Sequence, residues 1–295
     1  MKIGFSLLLV ACLYAGFKNF TNDYEFSEIL RSVKSPWYLS LIICFLFINL
    51  YCESRKWRAV TTLKINSTSA LRAILAGYST AVITPNRIGE FAGRNTFFAK
   101  QFRPELTTAT FIGSFVQGAI TVFFGLVGLV WFPFSTELIK HLDYKILFWI
   151  LLLLAAIVVG LYFFRNYFAL RLAEYLSSLQ KVTGFQLLKS AFWGLVRYLT
   201  FLTQFYLALL IFGFEGSFAL AASGISVMYL IQSYIPLTGL GELGVREFLS
   251  FIIFSPFMEI GVAAVFPALL IWLINIVIPS LCGLALLKSR HSFAR

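Results

Sequence analysis

Charged and metal-ligating side chains are scarce in this chain of 295 residues. Asp, Glu, Lys and Arg make up 13% of it and hydrophobic residues make up 59%, a balance outside the usual range of soluble domains. Only two histidines are present, His141 and His291, and the four cysteines form no CxxC pair. The sequence therefore offers no disulfide framework and no recognisable metal site, and we expect no cofactor.

Eight long apolar blocks dominate the chain instead. They cover residues 3–17, 36–52, 70–99, 107–132, 145–164, 187–214, 218–254 and 260–287. A helix needs about 17–25 apolar residues to cross a hydrocarbon core of about 30 Å, and none of the blocks has the alternation of a barrel strand. Because backbone groups in lipid must be hydrogen-bonded internally, the blocks predict helices. We expect an all-α polytopic membrane protein in which residues 1–295 form a single integral domain.

The net charge of +11 is concentrated in short loops between apolar blocks, which indicates membrane topology rather than nucleic-acid binding. The basic residues that follow the second block are Arg55, Lys56, Arg58 and Lys64, and those that follow the fifth block are Arg165, Arg171 and Lys181. The loops around Glu137 and Glu215 contain few basic residues. The bias predicts an inner-membrane protein with the basic loops and both termini in the cytoplasm.

The third and seventh blocks are interrupted near their middles. The residues predicted to break them are Pro85, Asn86, Gly89, Pro236, Gly239 and Gly241. The assigned sides of the loops require these blocks to enter and leave on one face. We therefore predict six full transmembrane helices and two re-entrant helical hairpins, at about residues 70–99 and 218–254, inserted from opposite faces.

The two interrupted blocks share a short motif. Gly89-Glu90 is followed by Arg94, and Gly241-Glu242 is followed at the same spacing by Arg246. Each motif lies between two crossings, and the predicted directions of those crossings are opposite in the two halves, at about residues 36–132 and 187–287. This pattern is typical of the inverted repeats of transporters, whose substrate site lies between the broken elements.

Ionisable residues at membrane depth predict a binding site near these breaks. Glu and Arg at i and i+4 share a helix face and can pair, and guanidinium groups engage phosphate oxygens well. The candidate substrate-binding residues are Arg87, Glu90, Arg94, Arg197, Glu242, Arg246 and Glu247. Other interpretations stay open: the Glu-Arg pairs could be structural, Arg197 could extend to the cytoplasmic surface, and Glu247 could reach the outer interface.

The two motifs resemble signatures of a known family. Residues 84–90 with Arg94, and Pro236 with residues 244–247, look like those of the lysylphosphatidylglycerol synthase transmembrane-region family, also called flippase-like. The resemblance implies movement of aminoacylated phosphatidylglycerol or another lipid between leaflets. Because the chain ends soon after the last block, we expect no lipid synthesis, and the block at 107–132 offers only Gln117 where family members tend to carry charges.

The sequence features bear on four candidate functions. A lipid flippase comes first, with membrane phospholipid as its partner, and a secondary transporter of a small anionic solute comes second. An intramembrane lipid-modifying enzyme lacks a Ser-His or Cys-His arrangement in the sequence, and a structural scaffold does not account for costly midplane charges. Glycine-rich residues 118–128 could pack helices within the chain or in a homo-oligomer.

Overall fold

The computed structural model describes residues 37–84, 87–132, 181–234 and 241–293. Within these ranges the chain is helical, with no β-strand and one isolated bridge. The first and fifth apolar blocks, the Glu137 loop and the predicted break residues Pro85, Asn86, Pro236 and Gly239 lie outside the described residues.

The same order of elements occurs twice. The first set is α1 (Trp37–Ala59), the helix pair α2 (Ser67–Val82) and α3 (Gly89–Asn95), and α4 (Arg103–Trp131). The second set is α5 (Gly184–Ile211), the helix pair α6 (Phe218–Tyr234) and α7 (Gly241–Phe254), and a last segment made of α8 (Val265–Trp272), a π-helical turn (Leu273–Val277) and α9 (Ile278–Phe293). Each set is therefore a long helix, a broken helix pair and a second long helical segment.

Within the described residues, four helical segments are long and apolar enough to cross a membrane. They are Trp37–Ala59, Lys100–Trp131, Gly184–Ile211 and Gly261–Ser289. They coincide with the second, fourth, sixth and eighth apolar blocks, so the prediction of an all-α, multi-pass chain is confirmed at this level.

Helices begin earlier than the apolar blocks predicted, because polar residues cap them. The Asn66 side chain accepts a hydrogen bond from the Ser69 backbone N–H at 2.7 Å and starts α2. Thr183 and Gln186 form a reciprocal capping box that starts α5. Such caps satisfy the first backbone N–H groups of a helix, so the predicted starts at residues 70 and 187 are a few residues late.

Helices α1 and α5 form the central antiparallel pair. Gln204 of α5 donates to the backbone carbonyl of Ile42 at 2.8 Å, whereas Arg197, earlier in α5, donates to Asn49, later in α1, at 2.9 Å. Residue numbers that rise along one helix and fall along the other define opposite directions. The first helices of the two sets therefore run antiparallel.

The segment before each helix pair contacts the segment after it. Before α2, Thr61 and Thr62 donate their hydroxyls to Glu105 at the start of α4, at 2.6 and 2.8 Å. We call this the first closing contact. Before α6, the backbone N–H of Glu215 donates to the carbonyl of Phe257 after α7 at 3.1 Å, and we call this the second closing contact. Because they follow the C-terminal ends of the antiparallel helices α1 and α5, the two contacts lie at opposite ends of that helix pair.

Close helix packing joins each helix pair to the other set. Ser79 of α2 donates to the carbonyl of Ser280 in α9 at 2.6 Å, and a Cβ on Gly283 would lie 1.9 Å from the carbonyl oxygen of Leu75. In the same way, a Cβ on Gly128 of α4 would lie 2.8 Å from the carbonyl oxygen of Ser223 in α6. Small residues let these backbones approach, as is common between membrane helices.

Candidate functional site

A buried carboxylate on α1 is shared by three cations. Glu53 Oε1 accepts from Arg94 Nη2 at 2.7 Å, while Glu53 Oε2 lies 2.7 Å from Lys56 Nζ and 3.1 Å from Arg197 Nε. The Glu53 and Lys56 side chains are 6% and 3% exposed, so these charges lie inside the protein. Removing ions from water is costly, and mutual pairing offsets part of that cost.

The first helix pair supplies the other half of the charges. Arg94 of α3 is also paired with Glu90 one turn earlier, as their spacing predicts. Arg87 Nε lies 3.9 Å from Glu90 Oε2 and extends the chain of charges towards the break. We call Glu53, Lys56, Arg87, Glu90, Arg94 and Arg197 the ion cluster.

Neutral polar side chains surround Arg197. Its guanidinium donates to Gln117 Oε1 of α4 and to the Tyr78 hydroxyl of α2, both at 3.2 Å. Asn49 accepts from Arg197 and donates in turn to Asn275 at 3.1 Å. Because Asn275 lies in the π-helical turn, five different elements contribute to this network: α1, α2, α4, α5 and the last segment. Arg197 therefore faces the interior, and the alternative of a surface-directed side chain is wrong.

The exposed fraction of the side chains falls from Arg87 through Glu90 to Arg94. The Arg87 side chain is 34% exposed, Glu90 is 18% exposed and Arg94 is 3% exposed. Arg87 also has a φ of 57°, a left-handed conformation that is uncommon for a residue with a side chain and that is concentrated at functional sites. Arg87 thus marks the open side of the ion cluster, and Lys56, Glu53 and Arg94 mark its deepest part.

Glycines allow α3 to lie directly against α2. A Cβ on Gly89 would be 2.2 Å from the carbonyl oxygen of Thr80, and one on Gly93 would be 2.4 Å from that of Ala76. The Thr80 hydroxyl donates to the carbonyl of Gly89 at 2.7 Å. The close contact at Gly89 and Gly93 therefore sets the position of α3, whose Arg94 reaches Glu53 of α1.

The second helix pair contains a smaller set of polar side chains. The Gln232 amide of α6 lies against Arg246 of α7, and its oxygen, turned towards the guanidinium, accepts from Nη2 at 3.0 Å and from Nε at 3.2 Å. Both carboxylate oxygens of Glu247 are shielded from solvent and have no hydrogen-bond partner among the described residues. Glu242 lies in the first turn of α7, but its side chain is outside what the structure describes. That the Glu242-Arg246 pair shares one cavity with Glu90 and Arg94 stays a prediction.

Two central residues were missed from the sequence. Lys56 was interpreted as part of a cytoplasmic loop after the second block, and that interpretation is wrong, because α1 continues to Ala59 and buries Lys56. Glu53 was not singled out at all. The available signal was their spacing: an acid and a base three residues apart at the end of an apolar helix lie on one helix face.

The described residues contain no group of three or more His, Cys, Asp or Glu side chains that could hold a metal ion. The ion cluster consists of guanidinium, ammonium and carboxylate groups, which bind ionic or strongly polar ligands through charge-assisted hydrogen bonds. These side chains can therefore hold an ionic or strongly polar ligand.

The fold and the buried charges define a polytopic helical membrane protein with an internal polar site. The family model described as "Lysylphosphatidylglycerol synthase TM region" matches residues 1–283, and the chain belongs to this family. No curated protein and no solved structure matches the chain. The resemblance carried by the two motifs is thus confirmed.

Proposed function

We propose that this chain moves the polar headgroup of an anionic or aminoacylated phospholipid across the cytoplasmic membrane. The headgroup would pass through a polar cavity between two re-entrant helix pairs while the acyl chains stay in hydrocarbon. The carrying observation is the ion cluster, which brings six ionisable side chains together in an apolar helical protein whose described residues include four candidate spans. Ionisable groups in membrane helices are expensive and mark substrate or ion pathways.

The two closing contacts support the re-entrant arrangement. Each one ties the segment before a helix pair to the segment after it, as expected if the pair enters and leaves the membrane on one face. Their location at opposite ends of the α1–α5 pair supports insertion from opposite faces, the pattern of inverted-repeat transporters. Six crossings with both termini in the cytoplasm complete the proposed topology.

The family supports a lipid as the substrate. Its description names the transmembrane region of a synthase of an aminoacylated phospholipid, and the ion cluster lies in that region. We assign transport rather than aminoacyl transfer, because the described site consists of charged side chains on different helices that pair with one another, as in a site that binds an ionic group.

A vesicle assay tests the proposal. The protein is reconstituted into phosphatidylcholine vesicles that contain a trace of acyl-chain-labelled phosphatidylglycerol or its lysyl ester, and an impermeant reductant bleaches the label in the outer leaflet. We expect the wild type to expose the inner-leaflet label. Arg197→Gln should slow this exposure on the order of tenfold, because losing one charge-assisted contact costs about 1.5–3 kcal/mol.

Arg72→Gln is the matched control, since Arg72 is an exposed arginine on α2 outside the ion cluster. Size-exclusion elution and the thermal unfolding midpoint in detergent verify that both variants fold. Exposure of the label no faster than in protein-free vesicles, for both lipids and for labelled phosphatidylethanolamine, would refute the proposed function.

A transporter of a small anionic solute is the second candidate. The observation in its favour is that Arg87, the most exposed group of the ion cluster, could receive a free anion as well as a headgroup. Uptake of a soluble anion such as phosphate into the same vesicles, unaffected by their lipid composition, would favour this candidate over the first.

A further inference from the structure

The ion cluster has an excess of positive charge. It contains the four cations Lys56, Arg87, Arg94 and Arg197 and the two carboxylates Glu53 and Glu90. With all groups ionised, the excess among these six described side chains is two positive charges. In a poorly solvated interior such an excess favours an anionic ligand, because charge interactions are stronger there than in water.

Both carboxylates are already engaged by cations of the protein. The two oxygens of Glu53 face Arg94 on one side and Lys56 with Arg197 on the other. Those of Glu90 face Arg94 and Arg87. An ammonium group entering the cluster would compete with these cations for the carboxylates and would lie close to the cations themselves.

The open side of the cluster is where a ligand would meet it first. The contact between Arg87 and Glu90 is the longest ion pair of the cluster, at 3.9 Å, and it involves the two most exposed side chains. The Arg87 guanidinium also lies 5.5 Å from the centre of the Tyr78 ring, whose hydroxyl contacts Arg197. A ligand bound at Arg87 is thus one side chain away from the deeper cation Arg197.

We propose that this site selects an anionic phosphate group without an aminoacyl ester, and that Glu90 sets this preference as an internal competitor. The carboxylate of Glu90 holds Arg87 and Arg94 until a phosphate oxygen replaces it. An aminoacylated headgroup carries one added amino group, or two in the lysyl ester, whose positive charge offsets that of the phosphate, so it gains less from the positive cluster. This inference rests on the proposed function and narrows its substrate to the anionic class.

Opposite responses of two neighbouring residues test the inference. The purified full chain in phosphatidylcholine nanodiscs is titrated with short-chain phosphatidylglycerol, with its lysyl ester and with sodium phosphate, and the apparent Kd is obtained from the shift of the thermal midpoint. We expect Arg87→Gln to weaken binding of phosphatidylglycerol about tenfold. Glu90→Gln should strengthen it, because the competing carboxylate is gone and the excess charge rises.

Matched controls carry the same chemical changes outside the cluster. Arg72→Gln removes an exposed arginine of α2, and Glu259→Gln removes an exposed glutamate after α7. Both should leave the apparent Kd unchanged. Because Arg87 is the most exposed member of the cluster, its variant keeps the test decisive even where Glu90→Gln lowers the yield of folded protein.

The outcomes separate this inference from the proposed function. Lysyl ester bound as tightly as phosphatidylglycerol, or weaker phosphatidylglycerol binding in Glu90→Gln, would overturn the anion preference. Vesicle transport of both lipids at equal rates would keep the flippase and overturn the preference. The expected binding pattern without any transport would keep the preference and overturn the flippase. Sodium phosphate that competes with phosphatidylglycerol would support the preference and identify the free anion as a sufficient ligand.

Discussion

At the residue scale, Glu53 determines how the charges of the site are arranged. One carboxylate contacts a lysine on its own helix, an arginine on α3 and an arginine on α5. It therefore joins the first helix pair to the central α1–α5 pair.

We predict that Glu53→Gln lowers stability strongly. The change leaves Lys56, Arg94 and Arg197 close together with Glu90 as the remaining carboxylate of the cluster, and removing one partner of a buried ion pair costs about 3–5 kcal/mol. The thermal midpoint of the purified protein in detergent should fall clearly. The exposed Glu259→Gln should stay within about 0.5 kcal/mol of wild type, and equal midpoints for the two variants would contradict the role of Glu53.

Local spacing was enough to predict some contacts of the site. Glu90 and Arg94 are one turn apart, so their pairing follows from helix geometry alone. The pairing of Arg94 with Glu53 of α1 could not be predicted, because it depends on how α3 is placed against a helix that precedes it by a loop and another helix. The burial of Lys56 could not be predicted from its basic neighbours, since a run of Lys and Arg at the end of an apolar block normally marks a loop.

At the scale of elements, the position of α3 in the first helix pair depends on close backbone contact at two glycines. Helix α3 has only 7 residues, too few for an independently stable helix. Contact with the backbone of α2 at Gly89 and Gly93 holds it in place. The proline and glycine residues in the middle of the block predicted a break, whereas the docking of α2 onto α9 through Ser280 and Gly283 gave no signal in either segment taken alone.

We predict that Gly93→Ala disrupts this helix pair. Its added Cβ would lie 2.3 Å from the Thr80 hydroxyl and 2.4 Å from the Ala76 carbonyl oxygen, so α3 must move away from α2 and take Arg94 with it. Gly118→Ala in α4 is the control, since nothing lies within 4 Å of its added Cβ. Replacing glycine by alanine inside a helix should stabilise that variant by up to about 1 kcal/mol.

Thermal midpoints in detergent and lipid movement in vesicles measure both glycine variants. We expect Gly93→Ala to unfold at a lower temperature and to move lipid more slowly, and Gly118→Ala to match or exceed the wild type in stability. A Gly93→Ala protein with wild-type stability and transport would show that close α2–α3 contact is not required.

At the scale of the whole molecule, each helix pair packs on a long helix of the other set. Helix α2 of the first pair lies against α9, α6 of the second pair lies against α4, and α1 packs on α5. The ion cluster likewise needs both sets, because Arg197 of α5 completes the charges that α1, α3 and the residue Arg87 before α3 supply. A function that moves a headgroup past the cluster must therefore involve both sets.

The proposed insertion from opposite faces is testable by labelling. The four native cysteines are first replaced by alanine, and single cysteines are then introduced as Lys64→Cys near the first closing contact and Glu259→Cys near the second, both at exposed positions. In intact cells an impermeant maleimide should label Glu259→Cys alone, because the basic loop with Lys64 is predicted to face the cytoplasm. Disruption of the membrane should then allow labelling of Lys64→Cys. Labelling of both positions in intact cells would contradict opposite insertion, whereas a reversed pattern would keep the inverted arrangement and overturn only the predicted orientation.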